Sequence, residues 1–168
     1  DKRITGIGHW IRKFKLDEFT QLYNVILGNM SFVVPWPNVE NETNLYTKEE
    51  KKILTVMPGI TDFSSILFSD LAEILSATKN ANLKSNQYVR PWKSRLSLFY
   101  IQNQSFFVDI SLIVLTAISM FSRRTSLRGT GFLLRFLGAP DDLIEVSKRN
   151  KPLKPFAPPG SDGVVTQR

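Results

Sequence analysis

Two adjacent carboxylates, Asp17 and Glu18, stand directly before an apolar-periodic run in KLDEFTQLYNVILGNMSFVVPWP, residues 15 to 37. An acid just ahead of a helical stripe accepts backbone N–H bonds, and acids in a first turn complement the helix dipole. The same placement keeps a carboxylate ionised and aimed outward, which suits a nucleophile attacking phosphorus. Its neighbour, pointing to another side, could hold a divalent cation against a diphosphate. The residues allow both the capping and the chemical reading.

Arg12, Lys13 and Lys15 lie just upstream, and residues 1 to 15 carry five Lys/Arg against one acid. Such a run is either a solvated helix face or a phosphate or headgroup contact, arginine being the better bidentate phosphate ligand. Trp10, Trp36 and Trp92 suit a core or an interface, and tryptophan also favours the headgroup level of a membrane. The stretch RPWKSR, residues 90 to 95, mixes cations with an indole. It is compatible with an interfacial anchor or with base stacking plus phosphate contact. Asp109 sits inside the apolar run FFVDISLIVLTAISMF, residues 106 to 121, where it either pairs with a nearby cation or contributes to a ligand site.

Composition removes several chemistries. There is no cysteine, so disulfides, thiolate metal sites and cysteine nucleophiles are excluded. The lone histidine, His9, rules out a multi-histidine metal site and leaves acid–base or nucleophilic work to carboxylates, hydroxyls or lysines. A net charge of +7 suits anionic partners: nucleic acid, sugar nucleotides or anionic lipid headgroups. No recognisable nucleic-acid-binding motif accompanies that charge, and nucleic acid is not expected as a partner. The chain of 168 residues has no visible signal peptide and no uninterrupted apolar stretch of membrane-spanning length.

The elements that must position these residues follow from periodicity. Ile4, Ile7, Ile11 and Phe14 predict an amphipathic helix over 4–14. Phe19, Leu22, Tyr23, Ile26 and Leu27 predict a second helix with one buried stripe, stopped by Gly28 and Asn29. MSFVV predicts a short strand, and PWP forces extended geometry. Residues 47–57 predict a helix with Thr47 and Glu50 as a capping box, ending in a turn at PGITD. DFSSILFSDLAEILS is apolar at mixed spacing, TKNANLKSNQ reads as a polar loop, and residues 106–121 as a buried or interfacial helix ending in SRR. GTGFLLRFLG and DDLIEVSKRN predict two short helices, and residues 151–168 an extended or disordered proline-rich tail. The expected division is a domain over 1–124, a helical extension over 125–150, and the tail.

The order of these pieces resembles the bacterial sugar transferase family, the monotopic phosphoglycosyl transferases that start lipid-linked glycan assembly. The likeness runs from Asp1 to about Arg124. It rests on the Asp-x-Arg-x-Thr opening, the Leu-Asp-Glu triplet, the Gln-Leu-x-Asn-Val run with its glycine, the Met-Ser pair and Pro-Gly-Ile-Thr. The family's membrane-inserted helix and Lys-Phe-Arg segment precede this opening, so the sequence is expected to be part of a longer chain.

The resemblance implies a mainly α fold with a few short strands, lying on the cytoplasmic face of the bacterial inner membrane. It implies that Asp17 attacks the β-phosphate of a nucleotide-diphosphate sugar and that a polyprenyl phosphate then takes the phosphosugar. Glu18 would hold Mg²⁺. Arg12, Arg3, Gln21 and Asn24 are the implied substrate or phosphate contacts, and the basic patches would face anionic lipid. Where the family usually has Gly-Pro-Arg-Pro this chain has VPWP, so Trp36 stands at the place of a phosphate-binding arginine. The alternative is accordingly a catalytically impaired, membrane-associated relative that binds or scaffolds.

Overall fold

The computed structural model describes residues 19–35, 43–76 and 80–165. The expected helix over 4–14 and the Pro-Trp-Pro punctuation at 35–37 lie wholly or partly outside them. The described chain is mainly helical with one two-stranded sheet.

Helix α1 spans Phe19–Ile26. It ends where the sequence places its stop: Gly28 takes φ 74°, a left-handed conformation that costs glycine little. The Gly28 amide donates to the Val25 carbonyl at 3.0 Å and the Asn29 amide to the Asn24 carbonyl at 2.9 Å, the paired bonds of a Schellman cap. The stripe on α1 is not buried as its spacing suggested. Leu22 is half-buried, while Tyr23, Ile26 and Leu27 are exposed, Ile26 at 81%.

Strand β1, Ser31–Val33, pairs in parallel with β2, Gly59–Thr61. PGITD therefore contains a strand where the sequence suggested only a turn. Its partner is distant in the chain, and a local pattern cannot show that. Between the strands the expected helix over 47–57 is a shorter 3₁₀ helix, Glu50–Thr55. The Thr47–Glu50 capping box is present: the Glu50 amide donates to Thr47 Oγ1 at 3.1 Å and the Thr47 amide to Glu50 Oε2 at 3.0 Å.

Short helices α2 (Phe63–Leu67) and α3 (Leu71–Ser76) follow. The region read as a polar loop is instead helix α4, Ala81–Lys84, running through a π-helical turn, Ser85–Val89, into α5, Arg90–Asn103. Polar residues do not prevent a helix when packing supplies its stability. Then come α6 (Phe106–Phe121), α7 (Arg123–Phe136) and α8 (Asp141–Ser147). Ser105 caps α6 and Ser122 caps α7, each accepting from the amide three residues on at 3.4 Å. The helix foreseen at GTGFLLRFLG thus begins six residues earlier, at Arg123.

The core gathers around α5. Val89, Trp92, Leu96, Phe99 and Tyr100 pack with Phe63, Ile66 and Leu67 of α2, Val108 and Leu112 of α6, Leu133 and Leu134 of α7, and Leu143 of α8. The stretch DFSSILFSDLAEILS, apolar at mixed spacing, buries large side chains: Phe63, Ile66, Leu67 and Phe68 are all interior. Helix α6 is two-sided. Val108 and Leu112 are buried, whereas Phe106, Ile110, Val114 and Phe121 face outward. Among the described residues, no helix is long and apolar enough to cross a membrane.

RPWKSR is not an interfacial anchor. Arg90 is buried in a bidentate ion pair with Glu50, and Ser94 Oγ donates to the same carboxylate at 2.7 Å. Trp92 is buried with its ring centroid 4.6 Å from that of Phe156, and Arg95 pairs with Asp142. Residues 151–165 form neither helix nor strand, but they are held in place. The Phe156 amide donates to the Gln87 carbonyl at 3.0 Å, Gln87 Nε2 to the Val165 carbonyl at 2.7 Å, and Thr47 Oγ1 to the Pro159 carbonyl.

Candidate functional site

Asp17, Glu18, Arg12, Arg3 and Trp36 lie outside the described residues. What the structure describes is the scaffold on either side of them. The described part of helix α1 starts at Phe19, the residue after Glu18 in sequence, and β1 leads through Val34 and Pro35 toward position 36.

Gln21 and Asn24 are the two predicted contacts that are described. Three residues apart on α1, they share a face, and Asn24 Nδ2 donates to Gln21 Oε1 at 2.9 Å. Both are half-buried. The bond uses Gln21 Oε1 as acceptor, and the Gln21 amide nitrogen is a donor with no partner among the described residues. Asn24 also shapes the backbone. Its carbonyl accepts from the Asn29 and Met30 amides at 2.9 and 3.2 Å, turning the chain from α1 into β1.

The far side is fixed by contacts that no motif announced. The Val34 amide donates to the Thr61 carbonyl at 3.0 Å, and the Gly59 amide to the Pro35 carbonyl at 3.4 Å. The glycine of Pro-Gly-Ile-Thr is therefore laid directly on the Val34 backbone. The hydroxyl of Tyr100 reaches the Val33 carbonyl at 2.8 Å and Asp109 Oδ1 at 2.7 Å. Burial, and then the bonded Asp109 carboxylate, push the Tyr100 phenol well above its ordinary range, so it stays a neutral donor. Among the described residues, the partner of Asp109 is thus a tyrosine.

Asp62, fully buried, is a further residue that sequence reasoning did not single out. It caps α2: Oδ1 accepts from the Ser65 amide at 2.7 Å, and both oxygens face Ser64 Oγ. The Ser97 hydroxyl of α5 adds a 3.4 Å contact. Burial raises its carboxyl pKa, opposed by these bonds and by the Lys93 charge. The signal available in the sequence was an Asp three residues before Ser65, a capping-box spacing. Among the described residues, no group of three or more His, Cys, Asp or Glu could hold a metal ion.

The sequence matches the model of the family described as bacterial sugar transferase over residues 1–123. The chain belongs to the bacterial sugar transferase family. It is 33% identical over 116 residues to the UDP-galactose-lipid carrier transferase of Erwinia amylovora, covering 69% of this chain and 21% of that one. With the undecaprenyl-phosphate galactose phosphotransferase of Salmonella typhimurium it shares 32% identity over 117 residues, 70% of this chain and 21% of the relative. With the exopolysaccharide production protein ExoY of Rhizobium meliloti it shares 34% over 116 residues, 69% and 44% of the two. The chain therefore spans about a fifth to under a half of the length of these curated relatives. No solved structure matches it.

Proposed function

We propose that this chain is the catalytic portion of a phosphoglycosyl transferase that moves a sugar phosphate from a nucleotide-diphosphate sugar to a polyprenyl phosphate. The observation that carries this reading is the family match over residues 1–123, which includes Asp17 and Glu18 directly before α1. Relatives named for lipid-carrier and undecaprenyl-phosphate transfer support the acceptor class.

In the first half-reaction an Asp17 carboxylate oxygen bonds to the β-phosphorus of the donor. The bridging P–O bond breaks, and its electron pair leaves with the nucleoside monophosphate. Asp17 then carries the phosphosugar as an acyl phosphate. In the second, a phosphate oxygen of the polyprenyl phosphate attacks that phosphorus, and the Asp17 carboxylate leaves unchanged. Glu18, a hard oxygen donor, suits Mg²⁺, which when bound would offset the charge of the diphosphate. Arg12 and Arg3 would contact phosphate, and the amides of Gln21 and Asn24 would orient the donor from α1. The outward apolar face of α6 and the cations of the chain would meet the cytoplasmic face of an anionic inner membrane.

The test uses the full-length protein with a labelled nucleotide sugar, with and without Mg²⁺. Wild type releases nucleoside monophosphate, and Asp17→Asn does not. Release surviving in Asp17→Asn would remove Asp17 as the nucleophile. A second reading is favoured by Trp36 at the arginine position: a relative that retains binding but transfers weakly or not at all.

A further inference from the structure

The arginines of the described chain fall into two groups. Arg90 pairs with Glu50, Arg95 with Asp142, and Arg123 and Arg149 both with Asp70. Arg124, Arg128 and Arg135 make no ion pair with any described residue, and all three are exposed. Their spacing of four and seven places them on one stripe of α7, where like charges one turn apart repel.

That stripe forms a wall of a cleft of about 390 Å³ between α7 and α8. Gly131 lies on the same stripe between Arg128 and Arg135, where a Cβ would meet Ser147 Oγ of α8 at 3.0 Å, and Lys148, just past the end of α8, closes the opposite side. Lys148 is tied to Glu145 at 2.6 Å, so the three arginines supply the uncompensated charge. Phe132, 73% exposed, stands at the rim. Beside it Phe136 meets Phe107 of α6 with ring centroids 6.1 Å apart, and both are exposed. Every residue lining the cleft follows residue 123, where the match to the family ends.

We infer that this cleft binds a phosphate group. Three arginines line this concavity with no acid paired to them among the described residues, and phosphate is an anion whose oxygens their paired N–H groups fit. The adjacent aromatic surface suits a phosphate carried by a lipid, though the arginines would also take a soluble one. The inference does not depend on the transfer chemistry proposed above, because binding is read without turnover.

The experiment compares the full chain with two double variants of equal net charge, Arg128→Glu/Arg135→Glu in the cleft and Lys48→Glu/Lys51→Glu on an exposed surface elsewhere. All four positions are exposed, and matched thermal unfolding midpoints establish that both variants are folded. One arm measures cosedimentation with phosphatidylcholine vesicles containing phosphatidic acid. The other follows arginine Nε–H resonances on titration with inorganic phosphate. In at least one arm the cleft variant is expected to lose about tenfold or more in affinity, with the surface variant losing far less. Loss in the vesicle arm alone assigns a lipid source, and loss in the phosphate arm alone a soluble one. Equal losses by the two variants in both arms, or no saturable binding in either, overturn the inference.

Discussion

A methyl group placed on Gly59 would lie 2.4 Å from both the amide nitrogen and the carbonyl oxygen of Val34. Backbone, unlike a flexible side-chain end, cannot step aside, so β1 and β2 must separate to admit any side chain there. Gly59→Ala is therefore expected to destabilise the fold by about 1–3 kcal/mol, the range for overpacking. Because Val34 and Pro35 lead to position 36, it should also lower any transfer activity by more than the loss of folded protein accounts for. Urea unfolding alongside specific activity checks this; wild-type stability in Gly59→Ala would show that the close approach relaxes without cost.

The buried pair Glu50–Arg90 joins the 3₁₀ helix to the start of α5, with the Arg90 guanidinium also over the Tyr46 ring at 5.2 Å and donating to the Leu45 carbonyl. Removing one partner strands a buried charge, so Arg90→Met is expected to cost about 3–5 kcal/mol. Glu50→Leu in that background removes the stranded charge and should recover much of the loss. Denaturant midpoints of the three variants decide it: additive losses would mean the two residues act separately.

How much of this could be read from the chain depends on where each residue's partner sits. The α1 stop at Gly28, the strand at Ser31–Val33 and the Thr47–Glu50 box involve neighbours within a few positions, and all were legible. The family, with its mainly α fold, was legible because its motifs are local strings. Gly59 on Val34, Tyr100 under Val33 and Glu50 against Arg90 join residues far apart, and no periodicity encodes them. RPWKSR misled for the same reason: its two arginines are matched by Glu50 and Asp142, and its indole by Phe156. The α1 stripe was correctly placed on one face, yet amphipathic spacing alone does not say whether that face is covered.

Asp62 gives the fold a pH dependence of definite sign. Burial raises its folded-state carboxyl pKa, so the native chain holds this proton to higher pH than the unfolded chain does. Between the ordinary carboxylate range and the raised folded value, the native state binds more protons, and stability falls as pH rises through that window. Asp62→Asn keeps an oxygen for the Ser65 amide and carries no charge to desolvate. It is expected to flatten the stability profile from about pH 4 upward and to be at least as stable as wild type at neutral pH. Urea unfolding across a pH series measures both; parallel profiles would mean that Asp62 does not contribute the dependence.

Trp36, at the place of the arginine in the proposed phosphate contact, is the substitution that tests whether the chain turns over. An arginine there could donate charge-assisted bonds to a donor phosphate, each worth about 1.5–3 kcal/mol, whereas an indole offers one neutral N–H. If transfer is weakened by this residue, Trp36→Arg should raise kcat/KM for nucleoside monophosphate release by roughly tenfold to a hundredfold. The gain should require Asp17, so Asp17→Asn/Trp36→Arg should release nothing, which separates restored catalysis from a contaminating hydrolase. Robust wild-type turnover that Trp36→Arg leaves unchanged would mean that the phosphate is held by other groups, Arg12 and Arg3 being the first to test. In that event the impaired-relative reading fails and the transferase reading stands without it.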